Sequence, residues 1–338
     1  MRRRELNQNN SQAGAALITA LLTVALISVA ALTILENITV SAQLTRNLYV
    51  REQARLYALG AEELAVASMR EALNLSKRAG GGGNSFPALD EWTRQPISFP
   101  IEGGFIRGRV KDGANCFNLN ALVAPGDQGA LVANPQNIDR FAFLLEEMQV
   151  NPGEAAALAN SVADWMDTDD RPLSGGAEDP EYAIQDPPYR TSKTWLHSVS
   201  ELQLISGFNP EIVSAIRQWV CVRPSFELSP LNVNTLRVED APILTAYLGR
   251  EYNMDTVIGY LEDPSFSGFA DILDFFEHNN LQSNPVPEEN RGLFALKSDY
   301  YDLSAEINYH NAAISIRSTL QIHEGGDITT LSRSYGAF

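Results

Sequence analysis

Apolar and polar positions along the chain change period four times. From Ala13 to Leu35 no charge interrupts an apolar run, which at about 1.5 Å per residue reaches roughly 34 Å and is long enough to cross a hydrocarbon core. From Glu36 to Arg78 there is no proline and one glycine, Gly60. Leu44, Leu48, Leu56, Leu59, Val66, Met69 and Leu73 recur mostly at helical steps, so one long helix is expected, apolar first and amphipathic afterwards. The glycine run in Ala79–Asn84 ends it in a loop.

Two extended stretches follow, Ile97–Ile101 and Phe105–Val110, split by Gly103-Gly104 as a hairpin signal. The period then turns helical near 138–148, 153–166, 199–205, 210–222, 241–248, 254–261 and 269–278. Strand-like alternation returns at Leu303–Tyr309, Ala312–Ile322 and Ile328–Arg333. The fold class expected is α+β: a small antiparallel sheet that starts before the helical block and resumes after it. This divides the chain into 15–35 in the membrane, 36–78 as the rest of the helix, 97–135 as first strands, 136–295 as inserted helical domain and 296–338 as returning strands.

Charge then fixes orientation and excludes some chemistry. Arg2, Arg3 and Arg4 precede the apolar run and Glu36 follows it, which places the N-terminus in the cytoplasm and the bulk of the chain across the membrane. The competing reading is a cleaved secretory signal with Val40-Ser41-Ala42 as its exit site, but the apolar run is longer than such signals carry. With 42 Asp+Glu against 25 Lys+Arg, and a formal charge of −17, the chain lacks the basic face that phosphate backbones require. Cys116 and Cys221 form no CxxC pair, and four scattered histidines complete no zinc finger. The two cysteines fit one disulfide or two inert thiols. Their positions, before and within the helical block, make a bridge feasible, with a chain-entropy effect of about 4.7 kcal/mol for a loop of about 100 residues.

Cys116-Phe117-Asn118-Leu119-Asn120-Ala121-Leu122 has a weak echo in Pro230-Leu231-Asn232-Val233-Asn234-Thr235-Leu236. Asn-x-Asn before a helix, with a Leu204–Pro210 hairpin, resembles helix-hairpin-helix modules. In the nucleic-acid-binding versions the hairpin glycines meet phosphate, helped by basic side chains. Leu204–Pro210 holds one glycine and no Lys or Arg, so a packing unit whose asparagines satisfy turn backbone is the plainer reading.

The densest chemical signal is Asp164-Trp165-Met166-Asp167-Thr168-Asp169-Asp170, followed by Gly175-Gly176-Ala177-Glu178-Asp179-Pro180-Glu181-Tyr182. Asp167, Asp169, Asp170, Glu178 and Asp179 offer enough oxygen ligands for a hard cation, and Ca²⁺ is the natural candidate. The loop is no EF-hand, because Pro172 falls where the glycine belongs. A solvated acidic loop is the alternative. Two carboxylates also suffice for glycoside hydrolysis, but no GxSxG, HExxH or Walker loop accompanies them, and no enzyme is expected.

A short basic-polar leader (1–14) ending in Gly14, then Ala15-Ala16-Leu17-Ile18-Thr19-Ala20-Leu21-Leu22, resembles the type IV prepilin cleavage region. Tyr57–Glu62, Phe117–Asn120, Ala163–Asp169, Gly176–Tyr182, Val199–Leu202 and Leu231–Thr235 are similar to the K-type minor pseudopilin family (GspK) of bacterial type II secretion. The resemblance implies cleavage between Gly14 and Ala15 by a prepilin peptidase, N-methylation of Ala15, and a pilin-like helix and sheet with a large helical insert. It implies a structural calcium site at the acidic string and a single-pass inner-membrane protein that is mostly periplasmic. It further implies a role at the pseudopilus tip, with I-type and J-type minor pseudopilins as partners, then the H-type and major pseudopilins. Pilin-like subunits mostly carry Glu at the fifth mature position; Thr19 stands there, as in K-type subunits, which suits a subunit with none above it. The alternative is a membrane-anchored helix-hairpin-helix-like module for nucleic acid or another ligand.

Overall fold

The computed structural model describes residues 5–78, 96–323 and 325–337. Arg2, Arg3 and Arg4 and the glycine loop expected at 79–84 lie outside the described residues.

Helix α1, Glu5–Arg78, is one uninterrupted element of 74 residues. Within it, Gly14–Leu75 contains a window of mean hydropathy 2.5 that touches nothing else in the structure, so by length and composition it is able to cross a membrane. Hydroxyls in that half turn back on their own helix: Thr19, Thr23, Ser28 and Thr33 bond the carbonyls of Ala16, Ala20, Val24 and Ala30 at 2.8–2.9 Å. Polar side chains satisfied in this way are tolerated in lipid.

From Val50 onward α1 buries one stripe. Ala54 and Ala58 pack on Ala305, Ile307 and Ile316, and Val66, Met69 and Leu73 pack on Val110, Leu303 and Leu320. Small residues in the first group let the helix lie close to the sheet. The expected leucine stripe therefore divides: Val66, Met69 and Leu73 face the sheet, while Leu44, Leu48 and Leu56 stay more than half exposed.

The sheet has five antiparallel strands in chain order, β1 (Ile97–Ile101), β2 (Gly104–Asp112), β3 (Tyr300–Tyr309), β4 (Ala312–Ile322) and β5 (Ile328–Ala337). The β1–β2 turn is tight, with Ile101 paired to Gly104 and Gly103 at φ +83°. Gly104 is obligatory, since a Cβ there would lie 1.8 Å from the Asn308 carbonyl oxygen. β2 pairs directly with β3, Val110 opposite Leu303, so everything between Asp112 and Tyr300 is an insertion between neighbouring strands. The strands before it end at Asp112. Phe117, Leu119 and Leu122, inside the 97–135 segment expected to carry strands, pack in the insert's core instead.

The insert is built twice from one pattern. Phe117–Asn118 pairs in parallel with Val220–Cys221, and Leu231–Asn232 pairs in parallel with Phe294–Ala295. In the first half Asn120 grips the backbone of Leu196, accepting its N–H at 2.8 Å and donating to its carbonyl at 3.0 Å. In the second half Asn234 grips Phe269 in the same manner, at 2.8 and 3.0 Å. Two residues beyond each gripped residue a capping box opens the next turn, at Ser198 with Glu201 and at Asp271 with Asp274.

Helices α2 (Pro135–Glu147), α3 (Pro152–Met166) and α4 (Asp179–Ala183) belong to the first half, and α5 (Ala241–Leu248) and α6 (Met254–Glu262) to the second. Two expected helices are shorter than their periodicity. The 210–222 helix stops at Ile216, because Val220–Cys221 is taken by the parallel bridge. The 269–278 helix is confined to Ile272–Phe276, because Asn234 holds Phe269 extended. Cys116 and Cys221 are joined by a disulfide, Cα–Cα 5.7 Å, where the two ends of the first half meet.

Candidate metal centre

Helix α3 is buried along Ala155, Leu158, Val162 and Met166 and delivers its last turn into the acidic string. Its apolar face fixes where Asp164 and Asp167 point. Asp164 is fully buried, and both of its oxygens accept the Leu173 N–H at 3.1 Å. Gly176 closes over the same carboxylate, where a Cβ would stand 1.9 Å from Oδ2; Gly175 turns the chain at φ +76°. The glycine pair therefore wraps the loop around Asp164 and brings Glu178, the N-cap of α4, back to the C-cap of α3 at Asp167.

Asp167, Asp169 and Glu178 each place a carboxylate oxygen within 4.8 Å of the others. Asp167 is 3% exposed and Glu178 2%. Asp167 Oδ1 and both Glu178 oxygens are buried without a hydrogen-bond partner. Burial first, then repulsion from Asp169 and Asp164, drives Asp167 up to about 7; burial, then repulsion from Asp167, drives Glu178 up to about 7; and burial raises Asp164 to about 6. Buried, unpaired carboxylate oxygens in such proximity are costly unless protonated or bound to a cation. The donors are all oxygen, which suits a hard cation and not zinc.

The remaining two carboxylates expected here point elsewhere. Asp170 forms an ion pair with Lys193, whose Nζ also reaches the Asp169 carbonyl at 3.0 Å. Asp179 accepts the Thr191 N–H at 2.9 Å and its hydroxyl at 2.8 Å, with Arg190 at 3.9 Å. The Thr191 bonds hold its carboxyl below the usual range. Gly14 and Ala15 lie within α1, exposed, with open space around the Gly14 Cα.

The helix-hairpin-helix-like residues are spent on the protein itself. Asn118 donates to Ser225 and Glu227 carbonyls and Asn232 to Asp112, while Gly207 sits against Leu158 so closely that a Cβ would meet it at 2.8 Å. A glycine packed inward on α3 has no phosphate to meet.

Residues 115–225, the first half of the insert, match the family described as Type II secretion system (T2SS), protein K. Type II secretion system protein K of Klebsiella pneumoniae is 32% identical over 98% of both chains, and that of Pectobacterium carotovorum subsp. carotovorum is 31% identical over 97% of both. The crystal structure of the GspK-GspI-GspJ complex from enterotoxigenic Escherichia coli has a chain that superposes with a TM-score of 0.73 at 23% identity, covering 87% of this chain and 99% of that one. A long apolar-to-amphipathic helix on a small antiparallel sheet, carrying a duplicated helical insert, defines the pilin-like class with an inserted domain. Within it, this chain belongs to the type II secretion system protein K family.

Proposed function

We propose that the chain is a minor pseudopilin of a type II secretion system, forming the tip of the periplasmic pseudopilus and helping to start its assembly for export of folded proteins. The observation that carries this is the position of the insert. It leaves the sheet between β2 and β3 and brings a core larger than the pilin-like part, a bulk suited to the end of a filament and ill suited to repeated stacking inside one.

The apolar half of α1 anchors the protein in the inner membrane with its N-terminus cytoplasmic. Prepilin peptidase cuts after Gly14, and Ala15 is then methylated. The partners are the I-type and J-type minor pseudopilins, followed by the H-type and major pseudopilins. Leu44, Leu48 and Leu56, exposed on α1, supply apolar surface for neighbouring helices. Asp167, Asp169 and Glu178 hold a structural calcium ion, with Asp170 and Asp179 in the surrounding shell; the unpartnered oxygens of Asp167 and Glu178 support this assignment.

The role is not enzymatic. Ser265, His278 and Asp263 do lie together, with Ser265 Oγ 3.2 Å from His278 Nε2. His278 Nδ1 accepts the Asn280 N–H at 3.3 Å, which puts the ring proton on Nε2 and leaves no lone pair facing the serine. Deleting the chain from its own organism is expected to abolish export of its type II cargo and shorten or abolish the pseudopilus, with both restored by the wild-type chain. Normal secretion after deletion would overturn the proposal.

A further inference from the structure

Residues 190–194 form a strap, neither helix nor strand, that is tied to both arms of the acidic loop. Thr191 holds Asp179 of α4 through its N–H and its hydroxyl. On the other side the Ser192 hydroxyl and the Lys193 N–H both donate to the Trp165 carbonyl, at 3.0 and 3.1 Å, in the last turn of α3. Lys193 sits at φ +48°, a left-handed backbone that a residue with a Cβ adopts at a cost, and its bond to Trp165 helps to hold it there. So anchored, its half-buried side chain sets the ammonium against the Asp169 carbonyl, 3.0 Å away, and the Asp170 carboxylate. Asp169 is one of the three residues whose carboxylates converge, so a positive charge is lodged in the acidic string itself. It bonds neither Asp167 Oδ1 nor Glu178, whose oxygens stay without a hydrogen-bond partner.

We propose that Lys193 sets the calcium affinity of this loop: it is the chain's own counter-ion for the cation-free carboxylates, and it repels the ion that binds them. A fixed unit charge attracts the carboxylates whether or not a cation is bound. That attraction therefore cancels in the binding equilibrium and survives only in the stability of the cation-free fold. What does not cancel is the repulsion between the ammonium and the bound ion, which is larger for a dication than for a monovalent ion at the same place. The field of Lys193 reaches both buried carboxylates. Against burial and the repulsion of Asp169 it favours ionised Asp167, and against burial and the repulsion of Asp167 it favours ionised Glu178. The pair with Asp170 contributes little by itself, since Asp170 is 83% exposed and solvent screens it. The strap is what gives the charge its effect, because its bonds to Trp165 and Asp179 fix where the ammonium stands relative to the two arms of the loop.

The inference rests on the reading that Asp167, Asp169 and Glu178 hold calcium, and its test keeps the two separable. Full-length chain in detergent micelles is titrated calorimetrically with calcium, as wild type and as Lys193→Met, Lys193→Gln and Lys193→Arg, and each protein is melted in chelator. The two neutral variants are expected to bind calcium about tenfold more tightly. In chelator they should melt about 2 °C or more below the wild type. Lys193→Arg keeps the charge and should stay with the wild type in both measurements. A lysine that only braced the loop would, once neutralised, lose affinity and stability together, so the opposite signs are the signature of the counter-ion. Calcium affinity that is unchanged or weaker in the neutral variants overturns the inference while leaving the calcium reading standing. An unchanged melting temperature in chelator, or an arginine variant that behaves like the neutral ones, overturns it as well. If the wild type binds no calcium, the calcium reading falls and the inference falls with it.

Discussion

Asp167, at the C-cap of α3, and Glu178, at the N-cap of α4, hold carboxylate oxygens within 4.8 Å of each other, with three of their four oxygens buried and unpaired. The loop between them is arranged around Asp164 and the two glycines, so this proximity is a product of the fold and not a surface coincidence.

Stability without a cation should therefore depend on pH in an unusual direction. In the unfolded chain these groups ionise near 3.9 and 4.3, whereas in the folded chain both hold their protons up to about 7. Between those limits the folded state binds more protons than the unfolded one, so stability is fullest below about 4 and falls as pH rises through about 7. In chelator, the melting temperature is expected to drop across this window; with calcium added, the drop should vanish. A chelated protein whose melting temperature is flat from pH 4 to 7 would contradict this arrangement.

The carboxylates should also separate by role. Asp167→Asn and Glu178→Gln are expected to raise the stability of the cation-free protein by relieving repulsion, and to weaken calcium by about 100-fold. Asp170→Asn and Asp179→Asn, whose side chains are occupied by Lys193 and Thr191, should change calcium affinity by less than about tenfold, as screened surface charges do. Calorimetric titration of the four variants decides it, and equal losses in all four would count against the division.

That division marks how far the acidic string could be read directly. Its spacing singled out an oxygen site but not which carboxylates turn inward, because the partners that draw Asp170 and Asp179 away, Lys193, Thr191 and Arg190, arrive from beyond the next turn of chain. Asp164 stood in the same string, yet its work of organising the loop depends on Gly176 lying against it. Elsewhere, long periodic elements such as Ala241–Leu248 and Ala312–Ile322 have the bounds their patterns predict. The two-residue parallel bridges at Phe117–Asn118 and Leu231–Asn232 were invisible, since pairing that short leaves no period; only the repeated Asn-x-Asn hinted at them.

The asparagine grips give a stability prediction. Asn120→Ala would leave the Leu196 N–H and the carbonyls of Leu196 and Arg223 without their partner in a fully buried setting. At about 1–3 kcal/mol for each stranded group, a loss of roughly 3 kcal/mol or more is expected. Asn234→Ala, half-buried and bonded to Phe269 alone, should cost less, about 1–3 kcal/mol. Chemical denaturation of both variants measures the difference, and equal costs would mean that the two halves do not differ in burial as described.

The sheet is locked to α1 by a second carboxylate. Glu62, 2% exposed, accepts Arg333 Nε at 2.8 Å and the Thr330 hydroxyl at 2.9 Å, tying the last strand to the helix. The Arg333 bond leads in lowering its pKa, against burial. Its contribution is thus present above the unfolded value near 4.3 and is lost as pH falls through the lower folded value. Glu62→Gln is expected to cost about 1–3 kcal/mol at pH 7, discounted for the partial exposure of Arg333, and to cost less in strong acid. A penalty independent of pH would contradict the ion-pair account.

A tip subunit held in shape by a cation is proposed to assemble with I-type and J-type pseudopilins. Native mass spectrometry of the full-length chain, released from detergent with both partners, in calcium and in chelator, tests it most directly. A 1:1:1 complex is expected in calcium, and it should lose this chain in chelator. A chain that remains alone in both conditions would contradict it.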